Sequence, residues 1–365
     1  MFVNESDGRP GPGGRRIVVT GASGNVGTSV VRALSADPRV ASVVGVVRRR
    51  PEWSVPGLRW VTADLGEDDP AGLDSVLAGA DAVIHLAWLF QPARDPLVTW
   101  RTNVLGSVRV FEAVARTGVP ALVHASSVGA YSPGPKDREI DESWPTHGWP
   151  SAAYTREKAY LERTLDTFEV THPDVRVVRM RPAFLFKRES ASQQRRLFAG
   201  PLLPNRLVRP GLVPIVPDLP GLRVQALHTD DAAQAYLLAT LGDARGAFNL
   251  AADPVVDAAL LADLLGARVV ALPAWAVRGP LAAAWRLRLT PASPDLFDAT
   301  LRMPVMSSAR ARDELGWTPR HTATEVLAEF LSGLHDGAGM DTPPLTPTVP
   351  GGRVHELRTG AGSEP

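Results

Sequence analysis

Residues 17–27 read Ile17-Val18-Val19-Thr20-Gly21-Ala22-Ser23-Gly24-Asn25-Val26-Gly27, a short apolar run that breaks into glycines spaced three apart. Ile17–Thr20 is β-branched and suits a strand. Beyond Gly27, Val31 and Leu34 continue at helical spacing. Glycines between a strand and a helix let the chain turn tightly. They also let a pyrophosphate approach the helix N-terminus, whose free N–H groups and dipole favour an anion. A glycine pattern alone is often a plain loop, but its setting makes Gly21, Ser23, Gly24, Asn25, Val26 and Gly27 a candidate dinucleotide-binding turn. The spacing differs from Gly-x-Gly-x-x-Gly, and the Lys-Ser/Thr ending of a nucleoside triphosphatase loop is missing.

Outward from this turn the same alternation repeats. Apolar runs at Val43–Val47, Ala82–Leu86, Ala121–Ala125 and Val175–Met180 read as strands. Helical periodicity runs through Val104, Val108, Phe111 and Val114, and again over Ala152–Phe168. Strand and helix in alternation predict an α/β fold, a parallel sheet covered by helices on both faces. After Arg181-Pro182 the periods fail and prolines multiply, until a helix at Asp230–Leu241 and a strand at Ala247–Leu250 restore order. The expected organisation is a dinucleotide domain over 15–182 with returns near 225–252. A smaller C-terminal substrate lobe covers 183–224 and 253–335. Gly- and Pro-rich disordered tails are expected at 1–14 and 336–365.

Composition narrows the function. The 365 residues carry 39 basic and 39 acidic side chains, which argues against a basic nucleic-acid or membrane surface. No cysteine is present, so disulfides, thiolate zinc sites and cysteine nucleophiles are excluded. The eight histidines are scattered without ligand spacing, and no metal is expected. The best apolar stretch, Leu260–Ala276, is interrupted by Asp263, Arg268 and Pro273, too short to span a bilayer. With no secretory h-region in the first residues, a cytoplasmic protein is expected.

Three further patterns carry chemistry. At the end of the second strand stands Val47-Arg48-Arg49-Arg50, with no carboxylate before Glu52. A carboxylate there would suit a ribose 2′-hydroxyl, whereas guanidinium forks suit the 2′-phosphate of NADP. The other reading is a decorated surface loop; NADP is preferred, through Arg48 first, with NAD as the alternative. Tyr154 and Lys158 lie four apart on a predicted helix and share a face. An ammonium beside a phenol favours the phenolate and makes tyrosine a usable acid/base. Only three residues of the chain are lysine, Lys136, Lys158 and Lys187, so a chance pairing is a weak competitor. Ser126-Ser127 follows the strand Ala121–Ala125, at the sheet edge where ligands of open α/β folds sit, although serines are also common turn residues.

Together these motifs resemble the extended short-chain dehydrogenase/reductases, the NAD(P)-dependent epimerase/dehydratase group, over about Arg16 to Leu331. The resemblance implies a Rossmann-type doubly wound sheet. It implies Tyr154 as proton carrier, Lys158 as its modulator and ribose contact, and Ser127 as the orienting hydroxyl. It adds Asp64 and Leu65 near the adenine, Leu86 and Ala87 beside the cofactor, Asn103 in a following helix and Pro182 near the nicotinamide. His228-Thr229-Asp230-Asp231-Ala232 and Leu315-Gly316-Trp317-Thr318-Pro319 match further family turns.

Departures from the family pattern also count. Ser127-Val128-Gly129 stands where the dehydratases carry Thr-Asp-Glu, which disfavours elimination of water. Phe186-Lys187-Arg188 replaces the Tyr-Gly-Pro of the sugar-nucleotide enzymes. Arg195, Arg196 and Arg206 either clamp a diphosphate or are solvated and ion-paired. Trp88, Phe90 and Trp100 either line an apolar substrate site or pack between lobes. His85 and His124 are expected as satisfied core histidines. Three functions are carried forward: an NAD(P)-dependent oxidoreductase on a carbonyl or secondary alcohol, a nucleotide-sugar 4-epimerase with bound NAD, and a non-catalytic dinucleotide sensor. The partner is a small molecule, and the helices near 103–116 and 152–168 resemble those that form a family homodimer.

Overall fold

The apolar runs of the sequence become the strands of one sheet in the computed structural model, which describes residues 13–68, 72–203, 205, 209–348, 351–359 and 361. The strands needed here are β1 (Arg15–Thr20), β2 (Val40–Val47), β3 (Leu58–Thr62), β4 (Ala82–His85), β5 (Ala121–Ala125), β6 (Arg176–Pro182), β7 (Phe184–Phe186), β8 (Val224–His228), β9 (Gly246–Leu250) and β10 (Ala252–Val256). Seven of them form a parallel sheet in the order β9-β6-β5-β4-β1-β2-β3. Strand order reverses between β1 and β4, and this is where ligands of doubly wound sheets bind.

Helices α1 (Asn25–Ala36), α2 (Gly106–Thr117), α3 (Ala153–Thr171), α4 (Thr229–Leu241) and α5 (Ala323–Asp336) provide the cover. Successive strand side chains point to opposite faces, and β1 shows the result. Ile17 and Val19 enter a core with Leu34 of α1 and Tyr236 of α4, while Val18 enters the other with Phe111 of α2 and Leu161 of α3. Burial on both faces explains why these strands read as continuous apolar runs. The edge strand β3 was not legible as such, because its burial is only partial on both sides.

A smaller sheet, β10-β8-β7, builds the second lobe with α5 packed on it. Two differences from the sequence reading have physical causes. Ala311 and Trp317, expected in the substrate lobe, lie in the main core beside α4, with the Trp317 indole N–H donating to Asp231 O at 2.8 Å. Residues 337–348, part of the stretch expected as a disordered tail, fold back on the body. Leu345 is fully buried, and Arg196 donates to the carbonyls of Thr346 and Pro344 at 2.7 and 2.9 Å. One buried leucine and guanidinium bonds to otherwise unpaired carbonyls hold a segment whose composition is polar. Of the expected N-terminal tail, residues 1–12 lie outside the described residues.

The helix α3 is fixed to the sheet by charge. Glu162, one turn beyond Lys158, accepts two hydrogen bonds at 2.9 Å from the Arg181 fork at the end of β6. It also accepts from Arg179 at 3.1 Å and from Ser126 at 2.5 Å. Arg179 reaches Asp166 and Glu169 as well. Despite burial, the arginine fork and the Ser126 hydroxyl hold the Glu162 carboxyl at about 2. Removing one partner of such a buried network leaves uncompensated charge. Glu162→Ala is therefore expected to lower unfolding free energy by about 3–5 kcal/mol in urea titration. In the wild type the carboxylate's contribution is complete above its unfolded pKa and is lost as pH falls toward 2, so the gap between the two proteins should shrink in acid.

Candidate functional site

At the reversal between β1 and β4, three glycines have three different reasons. Gly21 sits at φ +67°, and a Cβ there would stand 2.7 Å from Ala87 N, so the two strand ends meet only without a side chain. A Cβ on Gly27 would lie 2.2 Å from Gly21 O; this glycine lets α1 press against the turn. A Cβ on Gly24 would meet only Gly21 O, at 3.3 Å, leaving its other side open. Helix α1 begins without a side-chain cap, so its first N–H groups face outward with the positive end of the dipole. Ser23 is buried in the turn, and Asn25 donates to Leu185 O at 3.1 Å while its buried Oδ1 has no partner. An uncapped helix start beside an open glycine fits a dinucleotide pyrophosphate.

Past β2 the Arg48, Arg49 and Arg50 side chains are exposed, and among the described residues none makes a hydrogen bond or ion pair. Arg49 has its pKa lowered by partial burial and by Arg48, as expected of cations crowded together without an anion. Asp64 accepts from Gly66 N at 2.9 Å in the turn after β3, and Leu65 beside it is buried.

The segment after β4 is held by a chain of polar contacts. Thr20 Oγ1 meets His85 Nδ1 at 2.7 Å and accepts from the N–H groups of Leu86 and Ala87 at 3.2 and 3.3 Å. His85 Nε2 meets Ser107 Oγ at 2.8 Å, and that hydroxyl donates onward to Asn103 O. Ser107 thus accepts from the imidazole, placing the ring proton on Nε2. Burial lowers His85 to about 3, so it is neutral. His124 stacks on it at 5.5 Å, but both its ring nitrogens lack partners, contrary to the expected satisfied core histidine.

Asn103 was expected at the cofactor. Its amide instead accepts from Leu89 N and donates to Leu89 O, at 2.7 and 2.8 Å, and donates to Glu157 at 2.7 Å. It sits in a π-helical turn, Arg101–Leu105, which distorts the helix start and aims the side chain at the loop. Fully buried, it positions the Leu86–Phe90 loop rather than presenting itself to a ligand.

Strand β5 delivers Ser127, and α3 delivers Tyr154 and Lys158. Tyr154 Oη donates to Ser127 Oγ at 2.8 Å, and Gly129 N donates to the same oxygen at 3.0 Å. A Cβ on Gly129 would stand 2.7 Å from the Tyr154 ring, so glycine is required there. Lys158 donates to Ala125 O at 2.7 Å and lies over the Trp88 ring at 3.4 Å. Burial lowers the Lys158 ammonium to about 7, opposed by Glu157 and Glu162, and burial raises the Tyr154 phenol to about 12. Pro182 is buried where β6 ends against Leu250.

Some readings from the sequence do not meet at the site. Trp100 packs on Tyr160 at 4.9 Å, on the outer side of α3. Arg195 donates to Gly200 O at 2.9 Å and Arg196 to the returning C-terminal segment, so neither is poised for a diphosphate. Arg206 lies outside the described residues. Lys187, one of the three lysines, also departs from the family pattern. Its buried ammonium donates to Thr28 Oγ1 at 2.6 Å and Ser29 Oγ at 3.3 Å, tying the second lobe to the first turns of α1. The scarcity of lysine was the only sequence signal for it.

Comparison with known proteins follows this geometry. The model of the NAD dependent epimerase/dehydratase family matches residues 17–251. An uncharacterized protein of Mycobacterium tuberculosis is 28% identical over 327 residues, 89% of this chain and 31% of that protein. The chain thus spans about a third of the length of these mycobacterial relatives. A dTDP-glucose 4,6-dehydratase of Streptomyces antibioticus is 27% identical over 362 residues, covering 92% of this chain and 98% of its own. The structure of UDP-glucose 4-epimerase from Thermus thermophilus in complex with NAD has a TM-score of 0.65 at 19% identity, over 87% of this chain and 98% of that one. A short-chain dehydrogenase/reductase superfamily protein from Agrobacterium tumefaciens with bound NAD gives 0.64 at 24% identity, over 88% and 97%. These two structures share the fold.

The site also has a titration signature. Burial lowers all three lysines of the chain, Lys158 to about 7 and Lys136 and Lys187 to about 8. From about pH 7 to about pH 10 the unfolded chain therefore binds more protons than the folded one, and stability should rise with pH. Above that range the raised Tyr154 and Tyr131, both about 12, reverse the sign. Urea titrations across this range should show the rise, reduced in Lys187→Met; a flat wild-type profile would contradict the buried ammonium groups.

Proposed function

The chain belongs to the NAD dependent epimerase/dehydratase family, and from that premise we propose that it is an NAD(P)-dependent oxidoreductase acting on a carbonyl or secondary alcohol. The observation that carries the reading is the Tyr154–Ser127 hydrogen bond at 2.8 Å with Lys158 one helical turn away. The glycine turn would hold a nicotinamide dinucleotide, which when bound would supply or accept hydride. Ser127 orients the substrate oxygen. Tyr154, protonated at neutral pH because burial raises it, gives its proton to the carbonyl oxygen as the carbon gains hydride, and the product is the alcohol. The Lys158 ammonium stabilises the phenolate that remains. In the oxidation direction each transfer reverses.

The exposed and unpartnered Arg48-Arg49-Arg50 run supports a preference for NADP over NAD, with Arg48 foremost. Asp64, Leu65, Leu86 and Ala87 complete the proposed cofactor contacts. A second reading, a nucleotide-sugar 4-epimerase retaining NAD, would use the same three residues, and the activity named for the Thermus structure favours it. Dehydration is disfavoured, because Val128 and Gly129 stand where the dehydratases carry an Asp and a Glu. A non-catalytic sensor would not require the Tyr154–Ser127 contact. Exposed Leu97, Leu105 and Tyr160 lie on or beside α2 and α3, and we assign that face to a homodimer.

Tyr154→Phe should reduce carbonyl turnover by about 10²–10⁴-fold with dinucleotide affinity retained; unchanged turnover would remove Tyr154 as the proton carrier. Arg48→Ala should weaken NADPH binding by about tenfold or more and leave NADH binding nearly unaltered, measured by fluorescence titration. Protein purified with tightly held NAD and no response to NADPH would replace the oxidoreductase by the epimerase. Gel filtration of Tyr160→Glu should shift the dimer to monomer.

A further inference from the structure

Three aromatic rings from two parts of the chain pack in a row that begins on the ring of Tyr154. Phe90 stacks on Tyr154, with centroids 5.2 Å apart and planes 18° apart. Trp88 meets the same ring edge-on at 5.7 Å. Phe198, from the second lobe, meets Phe90 edge-on at 5.6 Å. All four rings are partly exposed, so they form a wall rather than a closed core. Beyond Val128, a small recess is lined by Val128, Ala183, Phe184 and Met303, with Arg223 and Gln225.

Several polar groups beside this wall are bonded to main chain, whereas the Arg223 guanidinium at the recess is exposed. Gln91 donates to Leu197 O and accepts from Ala93 N. Arg94 donates to the carbonyls of Trp285 and Thr290 and stacks on the Trp285 ring at 3.6 Å. Both polar atoms of Gln225, at the back of the recess, are bonded to Met306 main chain. A planar apolar ring would find aromatic faces and edges at stacking distance.

We propose that the substrate is an aryl ketone or the corresponding aryl alcohol, its ring against Phe90 and Phe198 and its oxygen on Ser127 and Tyr154. This assignment rests on the oxidoreductase reading. With a nicotinamide dinucleotide bound, hydride would pass between it and the carbonyl carbon, while Tyr154 exchanges its proton with the oxygen.

The test is steady-state kinetics of the full chain with NADPH, and NADH in parallel, on three compounds: an aryl alkyl ketone, a short aliphatic hydroxyketone, and UDP-glucose assayed for epimerisation. The expected result is a kcat/KM about tenfold or more higher for the aryl ketone. Phe198→Ala should remove that preference mainly through KM, with dinucleotide affinity unchanged. Phe198→Leu, which keeps apolar volume without the ring, controls for folding and should lose most of the preference too. Equal or better turnover of the hydroxyketone or UDP-glucose would overturn the aryl assignment, as would equal losses on both ketones in the Phe198 variants. With the hydroxyketone turned over, the oxidoreductase reading survives that failure. Dinucleotide binding with no carbonyl turnover would overturn both.

Discussion

Inside the protein, the Glu162 carboxylate receives hydrogen bonds from the fork of Arg181, from Arg179 and from Ser126. Two of these donors sit on β6, one immediately follows β5, and Glu162 itself lies on α3. A buried ion network of this kind is not a reliable source of net stability, because desolvation offsets much of the attraction. Its geometric effect is clearer. Tyr154, Lys158 and Glu162 recur every four residues along one helix face, so anchoring the third sets the rotation and height of the other two. Ser126, bonded to Glu162, precedes Ser127, bonded to Tyr154. The carboxylate therefore aligns both halves of the proposed proton-transfer pair.

A second carboxylate, Glu157, does similar work on the opposite side. It accepts from Asn103 and from Thr99, at 2.7 and 2.6 Å, and Asn103 in turn grips both backbone groups of Leu89. That grip holds Trp88 and Phe90 against Tyr154. The same helix thus positions its own tyrosine and, through neighbours, the aromatic rings around it. Burial raises the Glu157 pKa, while the amide and hydroxyl donors favour its charged form.

The chain places its cations by type. Arginine serves the surface and the planar carboxylate pairs, where its fork gives two directed bonds. Lysine appears three times, and each ammonium is drawn into the structure onto carbonyl or hydroxyl oxygens. A compact cation that changes pKa readily on burial suits a group asked to modulate a phenol.

What the sequence by itself determined was local. The β-branched run before Gly21, the glycine spacing, the helix after it and the Tyr154–Lys158 interval are set by neighbours in the chain, and each is legible because the backbone periods of 2.0 and 3.6 are local properties. The doubly wound order followed from repetition of those units. Tertiary structure decided the rest. That Asn103 clamps a loop, that His124 is buried without a partner, that Trp317 belongs to the main core and that Leu345 anchors the C-terminal segment all depend on contacts between residues distant in the chain. Trp88, Phe90 and Phe198 were merely aromatic residues until three segments met. Side-chain chemistry says what a residue can do; only packing says which other residues share its space.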